Sequence, residues 1–249
     1  MRLLTLDIET RPLIAHTWGL WDQNIGINQI KDPGGLLCFA AKFHGERKMH
    51  FFSEWEHGKK GMARALFRLL DEADAVAGWN SDRFDLRWIQ TQFLDTDLGK
   101  PTPYAKVDLM RSVKRQVMLP SYKLDYVARH LGLGQKVRTG GFDLWLDVMK
   151  GDPKAQAKMR RYNIGDVTLT EKVFDRLNSK GWVLGLPNAS VEGGHCCTNP
   201  TCQSENLIRR GYSQKETRKY ARWQCKDCGT YSQSVNCEPG SAKLKRVTP

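Results

Sequence analysis

Asp7 and Glu9 close an apolar segment, residues 2–8, and stand two positions apart. On a strand that spacing projects both carboxylates from one face, at the end of the element where it meets solvent. Asp85 ends the stretch Asn80-Ser81-Asp82-Arg83-Phe84-Asp85, and Tyr162 precedes Asp166 by four residues. In a helix that spacing puts tyrosine and aspartate on one face. Carboxylate oxygens are hard ligands suited to Mg²⁺ or Mn²⁺. Two such ions, ~3.5–4 Å apart, can hold both the attacking and the leaving oxygen of a phosphodiester. Converging carboxylates repel one another without a cation, so such a site depends on metal. Each piece alone reads equally well as solvated acids at a strand end, an acidic helix start, or an ordinary helical pair.

A second chemistry sits near the end of the chain. Of seven cysteines, Cys38 stands apart and the other six fall between Cys196 and Cys237. Cys197 and Cys202 form a Cys-x4-Cys pair, and Cys225 and Cys228, a Cys-x2-Cys pair, follow with 22 residues between Cys202 and Cys225. Two close thiolate pairs suit one tetrahedral structural Zn²⁺. Clustering argues for a metal site rather than disulfides. Gly229 after the second pair suits a tight turn. Cys196 and His195 adjoin Cys197, so either could replace it as a ligand, and Cys237 is expected to be free.

These groups need elements to place them. Strands are expected over residues 2–8, 36–43 and 48–52, with a loop excursion over 11–35. A helix over 58–73, a short strand over 75–79, a helix over 83–93 and a strand over 107–110 follow. Asn80 is a candidate cap for the helix at 83, and Phe84 a candidate anchor fixing it on the core. Further helices end at Gly132 and cover 154–178, the latter with Gly165 as a candidate break. Three strands followed by alternating helices and short strands describe an α/β domain with a mixed sheet. The expected domain covers residues 1–184, followed by a linker over 185–194, a zinc ribbon over 195–235 and a disordered basic tail over 236–249.

The order of the acidic pieces matters more than any one of them. Asp7-Ile8-Glu9-Thr10, then Asn80 through Phe84-Asp85, then Tyr162 through Asp166 resemble the three motifs of the DEDD exonuclease superfamily of the ribonuclease H-like fold. The stretch Leu124-Asp125-Tyr126-Val127-Ala128 is similar to that family's Leu-Asp-x-Val-Ala helix. Because a tyrosine precedes Asp166 and no histidine stands at a matching spacing, the resemblance is to the tyrosine branch. It is nearest to the proofreading domains of family B DNA polymerases. It covers residues 2–177 and implies a ribonuclease H-like sheet flanked by helices and a 3′→5′ exonuclease with two Mg²⁺ or Mn²⁺ ions. It further implies that Asp7 bridges both ions, Glu9 and Asp166 serve the ion that activates water, Asp85 serves the other, and Tyr162 orients the water. Thr10 and Asn80 belong to the matching motifs and are candidate nucleic-acid contacts.

Composition fits a polyanionic partner. The formal net charge is +12, from 39 Lys and Arg against 27 Asp and Glu. Arg209, Arg210, Arg218, Lys219 and Trp223 interleave cations with an aromatic in the ribbon and are candidate contacts to nucleic acid. DNA is favoured over RNA, and a replication or repair protein is a candidate partner. Asp82 is expected to be solvated, and Asp108 to serve a structural role or to approach the site. Lys123, Lys136 and Arg138 read as an exposed face with possible phosphate contact. Trp18 and Trp21 read either as base-stacking or as satellite core residues. No apolar run approaches the ~20 residues a membrane helix needs, so a soluble cytoplasmic protein is expected. Alternatives are an RNA-trimming or structure-selective nuclease of the same fold, and a non-enzymatic module that binds or recruits through the ribbon.

Overall fold

The computed structural model describes residues 1–187, 195–199, 202–215 and 217–240. Most of the expected linker, 188–194, and of the expected tail, 241–249, lies outside the described residues. Chain order begins with β1 (Leu3–Arg11), β2 (Ile14–Ala15), β3 (Ile30–Asp32), β4 (Gly35–Phe43) and β5 (Met49–Ser53). There follow α1 (Glu54–Asp71), β6 (Ala75–Gly78), α2 (Asp85–Asp95), β7 (Ala105–Asp108), α3 (Leu109–Gln116), α4 (Leu124–His130), α5 (Asp143–Met149) and α6 (Pro153–Asn178). The last elements are β8 (Leu207–Gln214), β9 (Lys219–Cys225) and β10 (Tyr231–Gln233).

The central sheet has five strands in the order β5-β4-β1-β6-β7. β1 runs antiparallel to β4 and parallel to β6, and β6 is parallel to β7. The mixed sheet expected from the strand pattern is therefore present. β1 separates two layers by the period of two: Leu4, Leu6 and Ile8 pack with α1 and α2, whereas Leu3 joins Phe174 of α6. The alternate residues Asp7 and Glu9 consequently face the α6 side. The parallel strands β6 and β7 end beside β1, so all three carry the chain to one edge of the sheet, where α2 and α3 begin.

Several expectations need correction. The excursion over 11–35 is not only loop, because β2 and β3 pair within it. Arg11 ties its base, with ion pairs to Asp32 at 2.8 Å and Glu54 at 3.1 Å. A short helical turn from Glu54, capped by the Ser53 hydroxyl accepting from the Glu56 N–H, precedes the expected helix; Gly58, with φ 65° and ψ 165°, kinks the chain between them, so the main helix begins where expected. α3 and α5 are short helices that the apolar pattern does not announce. Gly165 does not break α6, which is continuous. Its missing side chain instead makes room: a Cβ there would stand 3.3 Å from a methyl of Val137. Asn80 does not cap α2, since it adopts a left-handed φ of 63° and Phe84 occupies the cap position without a side-chain bond. Phe84 does not anchor the helix either, being 43% exposed, and Leu86, Ile89 and Phe93 perform that task.

β8, β9 and β10 form a separate three-stranded sheet. It docks on the end of α6, where the Asn199 amide donates to the Asn178 carbonyl at 2.9 Å. Residues 236–240, expected to be disordered, are partly tied down: the Glu238 N–H donates to the Lys219 carbonyl and its carboxylate pairs with Arg209 at 3.3 Å. Among the described residues, no helix is long and apolar enough to cross a membrane.

Candidate active site and four-cysteine centre

Carboxylate oxygens of Asp7, Glu9 and Asp166 lie within 4.8 Å of one another. The first two come from the end of β1, next to a bulge opposite β4 between Glu9 and Thr10. Asp166 comes from the middle of α6, 1% exposed. Asn163, one turn earlier on α6, locks this arrangement. Its amide donates to the Asp7 carboxylate at 2.6 Å and to the Asp7 carbonyl at 3.2 Å, binding helix to strand. The residue type of Asn163 stood inside the third motif, but nothing in its spacing marked it as the clamp on Asp7.

Asp85 approaches from the first turn of α2 and accepts a hydrogen bond from the Ile8 N–H at 3.2 Å. It sits beside the group of three rather than inside it. The turn leading to it is tight: a Cβ on Gly78 would meet the Ser81 Cβ at 2.6 Å, so only glycine fits there. Asp108 organises this turn. Its carboxylate accepts from the N–H groups of Asn80, Asp82 and Arg111, the last capping α3. Of the two roles open for Asp108, the structural one is observed. Asp82 is less solvated than expected, with its side chain 21% exposed and 3.4 Å from Arg111.

Lys136 departs most from expectation. Read as surface, it reaches into the cluster and pairs with Asp166 at 2.6 Å. Its backbone N–H is held by the Asp125 carboxylate at 2.9 Å, so the α4 aspartate positions the loop that delivers it. The ammonium also lies 5.0 Å over the Tyr162 ring. Tyr162 hydrogen-bonds to both Lys136 and Asp166 and packs edge-on against Trp145. Thr10 and Asn80 are partly exposed at the same sheet edge. Trp18 and Trp21 are 97% and 82% exposed, which rules out a core role. Lys123 and Arg138 remain exposed as expected.

The electrostatics of the site follow from burial. Burial, then the neighbouring Asp85, Glu9 and Asp166, raise Asp7 well above the usual carboxylate range, against the pull of Lys136. Glu9 is pushed up to about 8 by burial and by Asp166. Asp85 rises to about 7, chiefly by burial. Asp166 is raised by burial although Lys136 opposes it. Tyr162 is raised by burial and by Asp166, which keeps its hydroxyl protonated. Lys136 is held charged by Asp166 despite the desolvation that disfavours its charge. The Asp166 Oδ1 is buried without a hydrogen-bond partner among the described residues. An orphaned oxygen amid converging carboxylates fits a hard divalent cation, which would satisfy both charge and lone pair.

Cys197, Cys202, Cys225 and Cys228 present sulfurs that all lie within 4.8 Å of one another. Cys197 and Cys228 are 3.4 Å apart, and Cys202 and Cys225 are 3.7 Å apart, too far for disulfides. Zn–S bonds of ~2.3 Å in a tetrahedron require sulfurs about 3.8 Å apart, so the thiols fit that ion. Although partial burial works against it, Thr230 and the neighbouring thiols draw the Cys228 thiol down to about 7. The Cys197 thiol is raised, mainly by burial. Neither His195 nor Cys196 enters the group, and the His195 ring lies 5.3 Å from Trp223. Cys237 is exposed outside it. Arg209 and Lys219 both lie over the Tyr212 ring, at 4.9 Å and 4.1 Å. Arg210 donates to Gln224 at 3.0 Å, and Arg218 is bonded to Tyr220. Trp223 is half-buried and so less available for stacking than expected.

A family model described as RNase_H superfamily matches residues 4–178. Among solved structures, the family B DNA polymerase from the hyperthermophilic archaeon Pyrobaculum calidifontis is similar, with a TM-score of 0.55 at 18% identity. The likeness covers 73% of this chain and 25% of the polymerase chain, and at that identity it concerns the fold. No curated protein sequence matches this one significantly. With the model spanning the whole five-stranded sheet and the helix that carries Asp166, the chain belongs to the RNase H superfamily.

Proposed function

We propose that this protein is a metal-dependent 3′→5′ exonuclease of the tyrosine-containing DEDD type, acting on DNA ends. The observation that carries the reading is the convergence of Asp7, Glu9 and Asp166 within 4.8 Å, with Asp85 and Tyr162 alongside. Asp7, Glu9, Asp85 and Asp166 would hold two Mg²⁺ or Mn²⁺ ions, which when bound supply an activated water and stabilise charge on the phosphate. The chain's own groups do the positioning. Asn163 holds Asp7 by one hydrogen bond to its carboxylate and one to its backbone carbonyl, so that carboxylate does not rotate away. Tyr162 keeps its proton and offers a hydroxyl that orients the attacking water. Lys136 offsets part of the negative charge that would otherwise repel a phosphodiester, and holds the Tyr162 hydroxyl in place. The four cysteines would carry one structural Zn²⁺. Thr10 and Asn80 at the sheet edge, and Arg209, Arg210, Arg218, Lys219 and Trp223 in the ribbon, are the proposed contacts to the strand.

The decisive assay follows 5′-end-labelled single-stranded DNA with Mg²⁺ or Mn²⁺. A ladder shortening from the 3′ end is expected, abolished in Asp7→Ala and by chelation. Intact DNA with wild type, or equal cutting by Asp7→Ala, defeats the reading. Matched RNA strands tested in parallel decide the preferred nucleic acid.

A further inference from the structure

Beside the acidic cluster, across the ends of β6 and β7, lies a cleft of about 700 Å³ whose walls include Arg83, Arg111, Lys114 and Arg115. It contains only two acids, and both are engaged. Asp108 spends its oxygens on backbone N–H groups, and Asp82 faces Arg111 at 3.4 Å. Among the described residues, no carboxylate pairs with Arg83, Lys114 or Arg115. All three are exposed. The cations of α3 fall on one helical face by their spacing, Arg111 to Lys114 and Arg115. Charge at a helix C-terminus stabilises the helix modestly, which accounts for Lys114 and Arg115 as residues. It does not account for Arg83, which converges on the same cleft from the turn before α2.

Position gives the cleft its meaning. Asp7 is on β1 and Asp108 ends β7, two strands away through β6. Two strand spacings are about 10 Å, a distance a single strand leaving the acidic cluster covers within a few nucleotides. We propose that this cleft binds the sugar-phosphate backbone of the strand being degraded, a few nucleotides upstream of the end held at the acidic cluster. Arg83, Lys114 and Arg115 are its phosphate contacts. The assignment rests on the nuclease reading of the neighbouring site, and it moves the main strand contact from the ribbon to the nuclease domain itself.

The test combines two substrates and two triple variants of the full chain. Arg83→Gln, Lys114→Gln and Arg115→Gln together remove the cleft cations. Lys60→Gln, Arg64→Gln and Arg68→Gln together remove the same charge from the exposed face of α1. Binding of a fluorescent twelve-residue oligothymidylate is measured in chelator from 50 to 300 mM salt, so no cleavage intervenes. Each lost phosphate contact on a single strand lowers the slope of log affinity against log salt by about 0.7. The cleft variant should therefore flatten the slope by about 2 and bind at least tenfold more weakly at low salt. The α1 variant should stay close to wild type. Hydrolysis of the p-nitrophenyl ester of thymidine 5′-monophosphate, too short to reach the cleft, should be unchanged in both. An unaltered slope in the cleft variant, or an equal loss in the α1 variant, overturns the assignment. If wild type cleaves neither ester nor oligonucleotide, the nuclease reading falls, while the salt slopes still decide whether the cleft binds the strand.

Discussion

Raising the pH in the absence of metal should destabilise this protein, because Asp7, Glu9, Asp85 and Asp166 are all raised on folding, and replacing Glu9 by glutamine should remove Glu9's share of that effect. Glu9 titrates near 4.5 in an unfolded chain and is pushed up to about 8 in the folded one, by burial and then by Asp166. Between those values the folded state holds a proton that the unfolded state releases, so stability falls as pH rises. At about 1.4 kcal/mol per pH unit, moving a carboxyl from 4.5 to about 8 amounts to ~5 kcal/mol. Glu9 keeps some contact with solvent, so a working figure is about half, ~2–3 kcal/mol. Against a typical stability of about 5–15 kcal/mol, that is easily measured. His50 is lowered by burial and works in the opposite sense near its own titration, but it is common to both proteins and cancels. The lowered acids Asp71, Asp125 and Asp227 act only at more acidic pH, below this window. Urea unfolding in chelator should show wild type and Glu9→Gln alike at pH 4, below the unfolded titration of Glu9. At pH 8 the variant should be the more stable by ~2–3 kcal/mol. Mn²⁺ at a hundredfold excess over its dissociation constant should return about 2.7 kcal/mol to wild type, and less to the variant. Parallel pH profiles for the two proteins, or no effect of Mn²⁺ on wild type, would refute the account of the cluster as mutually repelling ligands.

Other outcomes follow from single contacts. Asn163→Ala should cost about 1–3 kcal/mol through an unsatisfied buried group, read by urea unfolding, and lower Mn²⁺ affinity about 10–100-fold because Asp7 loses its clamp, read by calorimetric titration. Tyr162→Phe should fold and bind metal normally while kcat falls by roughly two orders of magnitude, since only the water-orienting hydroxyl is lost. Lys136→Met should leave Mn²⁺ binding equal or tighter, as a cation beside Asp166 is removed, yet lower kcat/KM on DNA at least ~10-fold. Elemental analysis should find one zinc per chain. Cys202→Ser should abolish that zinc and the hydrogen-exchange protection of β8 and β9, leaving the melting of residues 1–184 close to wild type.

What the primary structure determined about this protein is its chemistry and its periodicity. Alternation along residues 3–9 put Asp7 and Glu9 on one face of a strand, and a spacing of four put Tyr162 and Asp166 on one face of a helix, because both rules depend on local backbone geometry alone. The cysteine pairs were equally legible, since tight turns bring close neighbours together. What only the tertiary structure decided is which distant groups meet. Lys136 looked like any surface lysine, and becomes a site residue because Asp125 pins its backbone and Gly165 lets its loop approach α6. Asn163 and Asp7 are 156 residues apart, and no local pattern records their hydrogen bond. Phe84 and Asn80 misled for the converse reason: an apolar residue and a capping residue were read by type, whereas Asp108 on the neighbouring strand fixes the turn that holds them. The opening carboxylates were thus visible as candidate ligands. Their packing beside one lysine and one asparagine, at the end of a five-stranded sheet, came from contacts that chain proximity does not encode.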